Sequence, residues 1–63
     1  MNRINQMIDM YATIAADCFH RALLLGRDGF IEEATDYTNK MMDARGQLKT
    51  WMKISQAIRG WKL

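Results

Sequence analysis

Apolar residues recur along this chain at alternating intervals of four and three, and the pattern breaks only once, at Gly26-Arg27-Asp28-Gly29. Ile4, Ile8, Tyr11, Ala15, Cys18, Ala22 and Leu25 make a first stripe, which Met7 and Ile14 widen. Phe30, Ala34, Tyr37, Met41, Ala44, Leu48, Trp51, Ser55 and Ile58 make a second. This spacing returns each side chain to one face of an α-helix and suits near-parallel helix packing. Proline is absent, so no residue forbids a helix between the ends. The expectation is an all-α, antiparallel two-helix hairpin with helices over about 3–25 and 29–59, assembling as a dimeric four-helix bundle. Asn2 is the candidate N-cap and Gly26 the candidate C′ residue of the first helix; Asp28 or Gly29 would open the second. The alternative is three helices with a break near Gly46, since glycine costs about 1 kcal/mol in a helix interior. The uninterrupted helix is preferred because the stripe passes through Gly46 without changing phase.

An antiparallel pairing about the turn brings together positions whose numbers sum to about 55 or 56. Tyr11 then faces Ala44, Ala15 faces Met41, Cys18 faces Tyr37 and Ala22 faces Ala34, large against small, as interdigitating layers require. The same pairing sets Ile4 against Trp51. The second helix, about 45 Å long against about 33 Å for the first, then outruns its partner beyond Trp51.

At 63 residues the chain forms one helical-hairpin domain, residues 1–63, with a basic amphipathic C-terminal segment over 45–63. Ordering it costs about 1.5 kcal/mol per residue, which one small core barely offsets, so self-association or a partner is expected. A hydrophobic content of 49% with 25% charged residues excludes intrinsic disorder. Cys18 is the only cysteine, which excludes an internal disulfide and suits a reducing compartment. Asn5, Gln6 and Asp9 interrupt any leader-like apolar run, and nothing approaches the roughly 18 apolar residues of a membrane span. The expected location is cytoplasmic.

Charge is divided along the chain. Four basic and seven acidic side chains precede Ala44, for a net −3, whereas five basic and no acidic ones follow, for +5. Part of this is helix electrostatics, with Glu32, Glu33 and Asp36 at the start of the second helix and Lys and Arg at its end. Asp17–Arg21 and Asp36–Lys40 are spaced for surface pairs at i,i+4.

Little in the chain points to catalysis. Cys18 and His20 project to different faces of one helix and cannot share a metal without outside ligands; Cys18 reads as a small buried residue and His20 as a rim histidine. Glu32, Glu33, Asp36 and Asp43 read as a solvated face, since a two-helix chain offers little to enclose an acid–base pair. Gly26-Arg27-Asp28-Gly29 lacks the preceding strand and following Lys-Ser/Thr of a phosphate loop. No enzymatic activity, cofactor or metal is expected.

The basic end is the candidate contact surface. Arg45, Lys49, Lys53 and Arg59 lie along one helical face, and Trp51, Met52, Ile54, Ile58 and Trp61 supply apolar contact. The preferred expectation is a small regulator or inhibitor that binds another protein through this segment. A nucleic-acid regulator is an alternative, although the tryptophans face away from the lysines that would follow phosphates; a membrane-surface amphipathic helix is a further one. A homodimer interface is expected to draw on Ala15, Cys18, Tyr37, Met41 and Leu48. Among the six methionines, Met10 and Met42 lie beside the main stripes and suit intermolecular contact.

From Ala22 to Met41 the chain resembles the helix-turn-helix unit of a tetratricopeptide repeat. Gly29, Ile31, Glu33, Ala34 and Tyr37 fall at that repeat's glycine, aromatic, acidic, alanine and aromatic positions. The resemblance covers about a third of the chain, without a second copy or the repeat's tryptophan and proline, and implies a shared helical-hairpin geometry. In length and layout the chain is also similar to small plasmid and phage regulators that dimerise as four-helix bundles.

Overall fold

Two helices and one tight turn account for the structure, a computed structural model that describes residues 3–61, the side chain of Trp61 excepted. Helix α1 spans Arg3–Arg27 and helix α2 spans Ile31–Trp61. The hairpin expected from the stripes is present, with the two helices packed on each other. The Asn2 cap lies outside the described residues.

The turn is built on Gly29, whose φ of 90° lies in the left-handed region that a Cβ penalises. Its N–H donates to the Gly26 carbonyl at 3.2 Å, and the N–H of Phe30 donates to the Leu25 carbonyl at 2.9 Å. These two bonds form the Schellman arrangement. Gly29 is therefore the C′ residue, not Gly26, and α1 continues to Arg27 rather than ending near Leu25. Phe30 opens α2, its carbonyl accepting from the Ala34 N–H at 2.9 Å. Asp28, expected as a cap, instead lies 3.7 Å from the Arg27 guanidinium. Glu32 and Glu33 occupy the first turn of α2, where the helix dipole favours them.

Two contacts near the turn fix the register. A Cβ placed on Gly26 would lie 3.9 Å from that of Ala34, and the Arg21 guanidinium sits 5.8 Å from the centre of the Tyr37 ring. Both differ by about one helical turn from the expected pairing, which set Ala22 against Ala34 and Cys18 against Tyr37. The two extra residues that α1 gains before the Schellman turn displace the pairing toward the turn. Ala15 then stands level with Ala44, Cys18 with Met41, and Ala22 with Tyr37.

The seam closes on small side chains. Ala15, Cys18 and Ala44 are the buried core, at 8, 7 and 4% exposure. Around them Ile4, Ile8, Tyr11, Ala22 and Leu25 of α1, and Ala34, Tyr37, Met41, Leu48, Trp51 and Ser55 of α2, are half-buried. The cover that α1 provides thus extends to Ser55, one turn beyond the expected limit at Trp51. Ile14, Phe30 and Ile58, assigned to the stripes, remain exposed.

Helix α2 runs through Gly46 unbroken, so the three-helix alternative is not adopted. Nothing lies within 4 Å of a Cβ placed there. The four threonines, Thr13, Thr35, Thr38 and Thr50, each donate their hydroxyl to the carbonyl four residues earlier, at 2.8–3.1 Å, which satisfies the hydroxyl inside its own helix. Of the two expected surface pairs, Asp17–Arg21 forms at 3.1 Å. Lys40 instead places its ammonium 4.9 Å from the centre of the Tyr37 ring.

The turn glycine and the mid-helix glycine of α2 should respond oppositely to alanine. Gly29→Ala forces a side chain into the left-handed region and is expected to cost about 1–2 kcal/mol. Gly46→Ala fills open space in a helix and should gain up to about 1 kcal/mol. Urea unfolding followed by circular dichroism measures both.

Candidate interaction surface

The C-terminal half of α2 carries its cations unopposed. Arg45, Lys49, Lys53 and Arg59 are all exposed, and among the described residues no carboxylate pairs with any of them; the ion pairs found are Asp17–Arg21 and Arg27–Asp28. Met52, Ile54 and Ile58 are exposed on the same stretch, at 46, 37 and 38%. Trp51, expected among the partner-binding residues, is half-buried in the hairpin seam. The Trp61 side chain lies outside the described residues.

The principal depressions are open grooves. One lies on α2 around Gly46, lined by Met42, Arg45, Leu48, Lys49 and Met52. A second crosses from α1 to α2 between Ala15, Ala16 and Phe19 on one bank and Met41 and Arg45 on the other. Arg45 borders both, so the two grooves adjoin there. A third lies on α1 and α2 near the turn, among Arg21, Leu24, Leu25, Glu33 and Tyr37. There the Tyr37 ring holds Arg21 and Lys40 near its π system, an attraction of cation for ring quadrupole. The hydrogen bond and charge of Asp17, with a smaller contribution from Tyr37, raise the pKa of Arg21 above its ordinary value.

The residues expected at a dimer interface occupy the intramolecular seam. Ala15 and Cys18 are buried between α1 and α2 of one chain, and Tyr37, Met41 and Leu48 are half-buried there. Ala15 and Met41 among them border the groove that crosses between the helices. Of the two methionines set beside the stripes, Met42 and Met10 are both exposed.

A further set of exposed apolar residues lies, Phe30 apart, outside the two stripes. Among the described residues the six most exposed large hydrophobic side chains are Phe19, Leu23, Phe30, Ile31, Met42 and Met52, at 46–64%. On α1, Phe19 and Leu23 continue a run with exposed Ala12 and Ala16 at spacings of four, three and four. That run was available in the sequence, but it lies beside a longer stripe containing larger residues.

Among the described residues, no group of three or more His, Cys, Asp or Glu side chains is placed to hold a metal ion. No described helix is long and apolar enough to cross a membrane. Comparisons with protein families, curated proteins and solved structures found no match.

Because no described carboxylate pairs with them, the tail cations should be dispensable for folding. Lys53→Gln together with Arg59→Gln is expected to change stability by less than about 0.5 kcal/mol, measured by urea unfolding. A larger loss would make them structural.

Proposed function

We propose that this chain is a small, non-enzymatic helical regulator or inhibitor that self-associates as a four-helix bundle and acts by binding another protein through the C-terminal end of α2. One observation carries the reading: the end of α2, around and beyond the limit of α1's cover at Ser55, combines exposed apolar side chains with cations that no described carboxylate pairs. Ile54 and Ile58 supply area that gains from being taken out of water. Lys53 and Arg59 supply positive charge, which speeds encounter with an acidic surface and helps set its orientation. The open grooves favour a binding role, since acid–base chemistry at near-neutral pH needs an enclosed, water-poor site.

Self-association follows from the shortage of interior. Among the described residues only three small side chains are buried in the hairpin, and a domain of this size has little free energy to spare. A second layer of helices would cover apolar surface that one hairpin leaves wet.

The protein-binding reading separates from nucleic-acid binding by the group that matters. Immobilised wild type, Ile58→Glu and the Lys53→Gln/Arg59→Gln variant are each exposed to lysate of the source cells, with duplex DNA and anionic vesicles tested in parallel. A protein retained by wild type and by the charge variant but lost with Ile58→Glu is expected. Retention indifferent to Ile58→Glu would reject the reading. Duplex binding that falls steeply with salt and vanishes in the charge variant would transfer the function to nucleic acid.

A further inference from the structure

Three of the six most exposed large apolar residues border adjoining grooves. Phe19 and Ala16 of α1 share a groove with Met41 and Arg45 of α2, and Arg45 borders the groove of Met42 and Met52. One broad side of the hairpin therefore carries Phe19, Met42 and Met52, and Leu23 follows Phe19 by one helical turn. On α1 the run is Ala12, Ala16, Phe19, Leu23, with spacings that read the same from either end. It runs from two small residues to two large ones. Turned end for end against itself, it sets Ala12 opposite Leu23 and Ala16 opposite Phe19, twice over, so every large side chain meets a small one. The residues at its ends continue the match: Asp9 precedes the run and Arg27 follows it, so the reversed pairing brings opposite charges together at both ends. Arg27 is mostly exposed, and its contact to Asp28 is long at 3.7 Å.

We propose that a second copy of this chain covers that side, α1 against the second copy's α1 in antiparallel orientation, about a twofold axis near residues 17 and 18. The same axis lays α2 against the second copy's α2. Given the register fixed at Gly26–Ala34 and Arg21–Tyr37, its centre falls near Met41 and Met42, and Ile31 comes opposite Met52. Apolar residues thus meet on the second pair of helices too, with Arg45 and Lys49 bordering the same groove. The hairpin is 18 Å across its broad side, and the overlap from Ile31 to Met52 runs about 33 Å, so each copy offers on the order of 600 Å², at the lower end of specific interfaces. Ile54, Ile58 and Arg59 lie past the second copy's turn in this arrangement, so one tail stays free at each end of the bundle. The inference rests on the self-association proposed above and adds its face and orientation.

Sedimentation equilibrium of the full chain tests it, with helicity followed at the same concentrations. Wild type is expected to be a dimer, and Phe19→Gln and Leu23→Gln to dissociate it. Asp9→Arg and Arg27→Asp should each weaken the dimer, by up to about tenfold, while the double exchange restores it. A wild-type monomer would overturn both this arrangement and the self-association on which it rests. A dimer indifferent to Phe19→Gln and Leu23→Gln would overturn the face and leave self-association standing. Failure of the double exchange to restore what the single changes lose would overturn the antiparallel pairing.

Discussion

The left-handed conformation of Gly29 is the constraint on which the rest of the hairpin depends. It allows two backbone hydrogen bonds to close the end of α1 while the chain reverses, and it determines how many residues α1 contributes before the reversal. Register follows from that length. Because α1 ends at Arg27, the smallest side chains of both helices reach the same level, and Ala15, Cys18 and Ala44 let the backbones approach. A turn completed two or three residues earlier would have set Tyr11 against Ala44 and opened the seam at its narrowest point.

A seam closed by alanine and cysteine is narrow, and this shapes the surface. Small residues bring two helices close but remove little apolar area from water. The large side chains that a thicker core would enclose are pushed to the flanks, where Phe19, Leu23, Ile31 and Met42 stand more than half exposed. The economy of the interior and the stickiness of the exterior are one fact seen from two sides. It explains why the hairpin reads as half of something larger, and why the uncovered end of α2 is a credible site for a partner.

Much of the architecture was legible in the sequence because it rests on periodicity. The two stripes name nearly all the half-buried and buried positions, and the absence of proline leaves both helices whole. The turn was harder, since glycines at 26 and 29 both satisfy a C′ position. Only the hydrogen bonds of the Schellman arrangement distinguish them, and that choice carried a one-turn error into every cross-helix pair. Lys40 was assigned to Asp36 by spacing, a rule blind to a tyrosine ring on the neighbouring face. The run from Ala12 to Leu23 was hidden for a different reason. Its alanines are nearly neutral in a hydrophobicity pattern, and their meaning emerges only once the other face is known to be occupied. At the tail, the cations and the exposed isoleucines were readable from composition, whereas Trp51 was expected both opposite Ile4 and at the partner surface, and its half-burial favours the first.

The threonines alter what a partner would meet on this surface. With each hydroxyl donating to its own helix's carbonyl, the donors of Thr13, Thr35, Thr38 and Thr50 are satisfied without water. Composition counts these residues as polar, yet none of them holds a hydroxyl proton in reserve for a partner. The hairpin therefore offers fewer free donors than its mean hydropathy of −0.29 suggests.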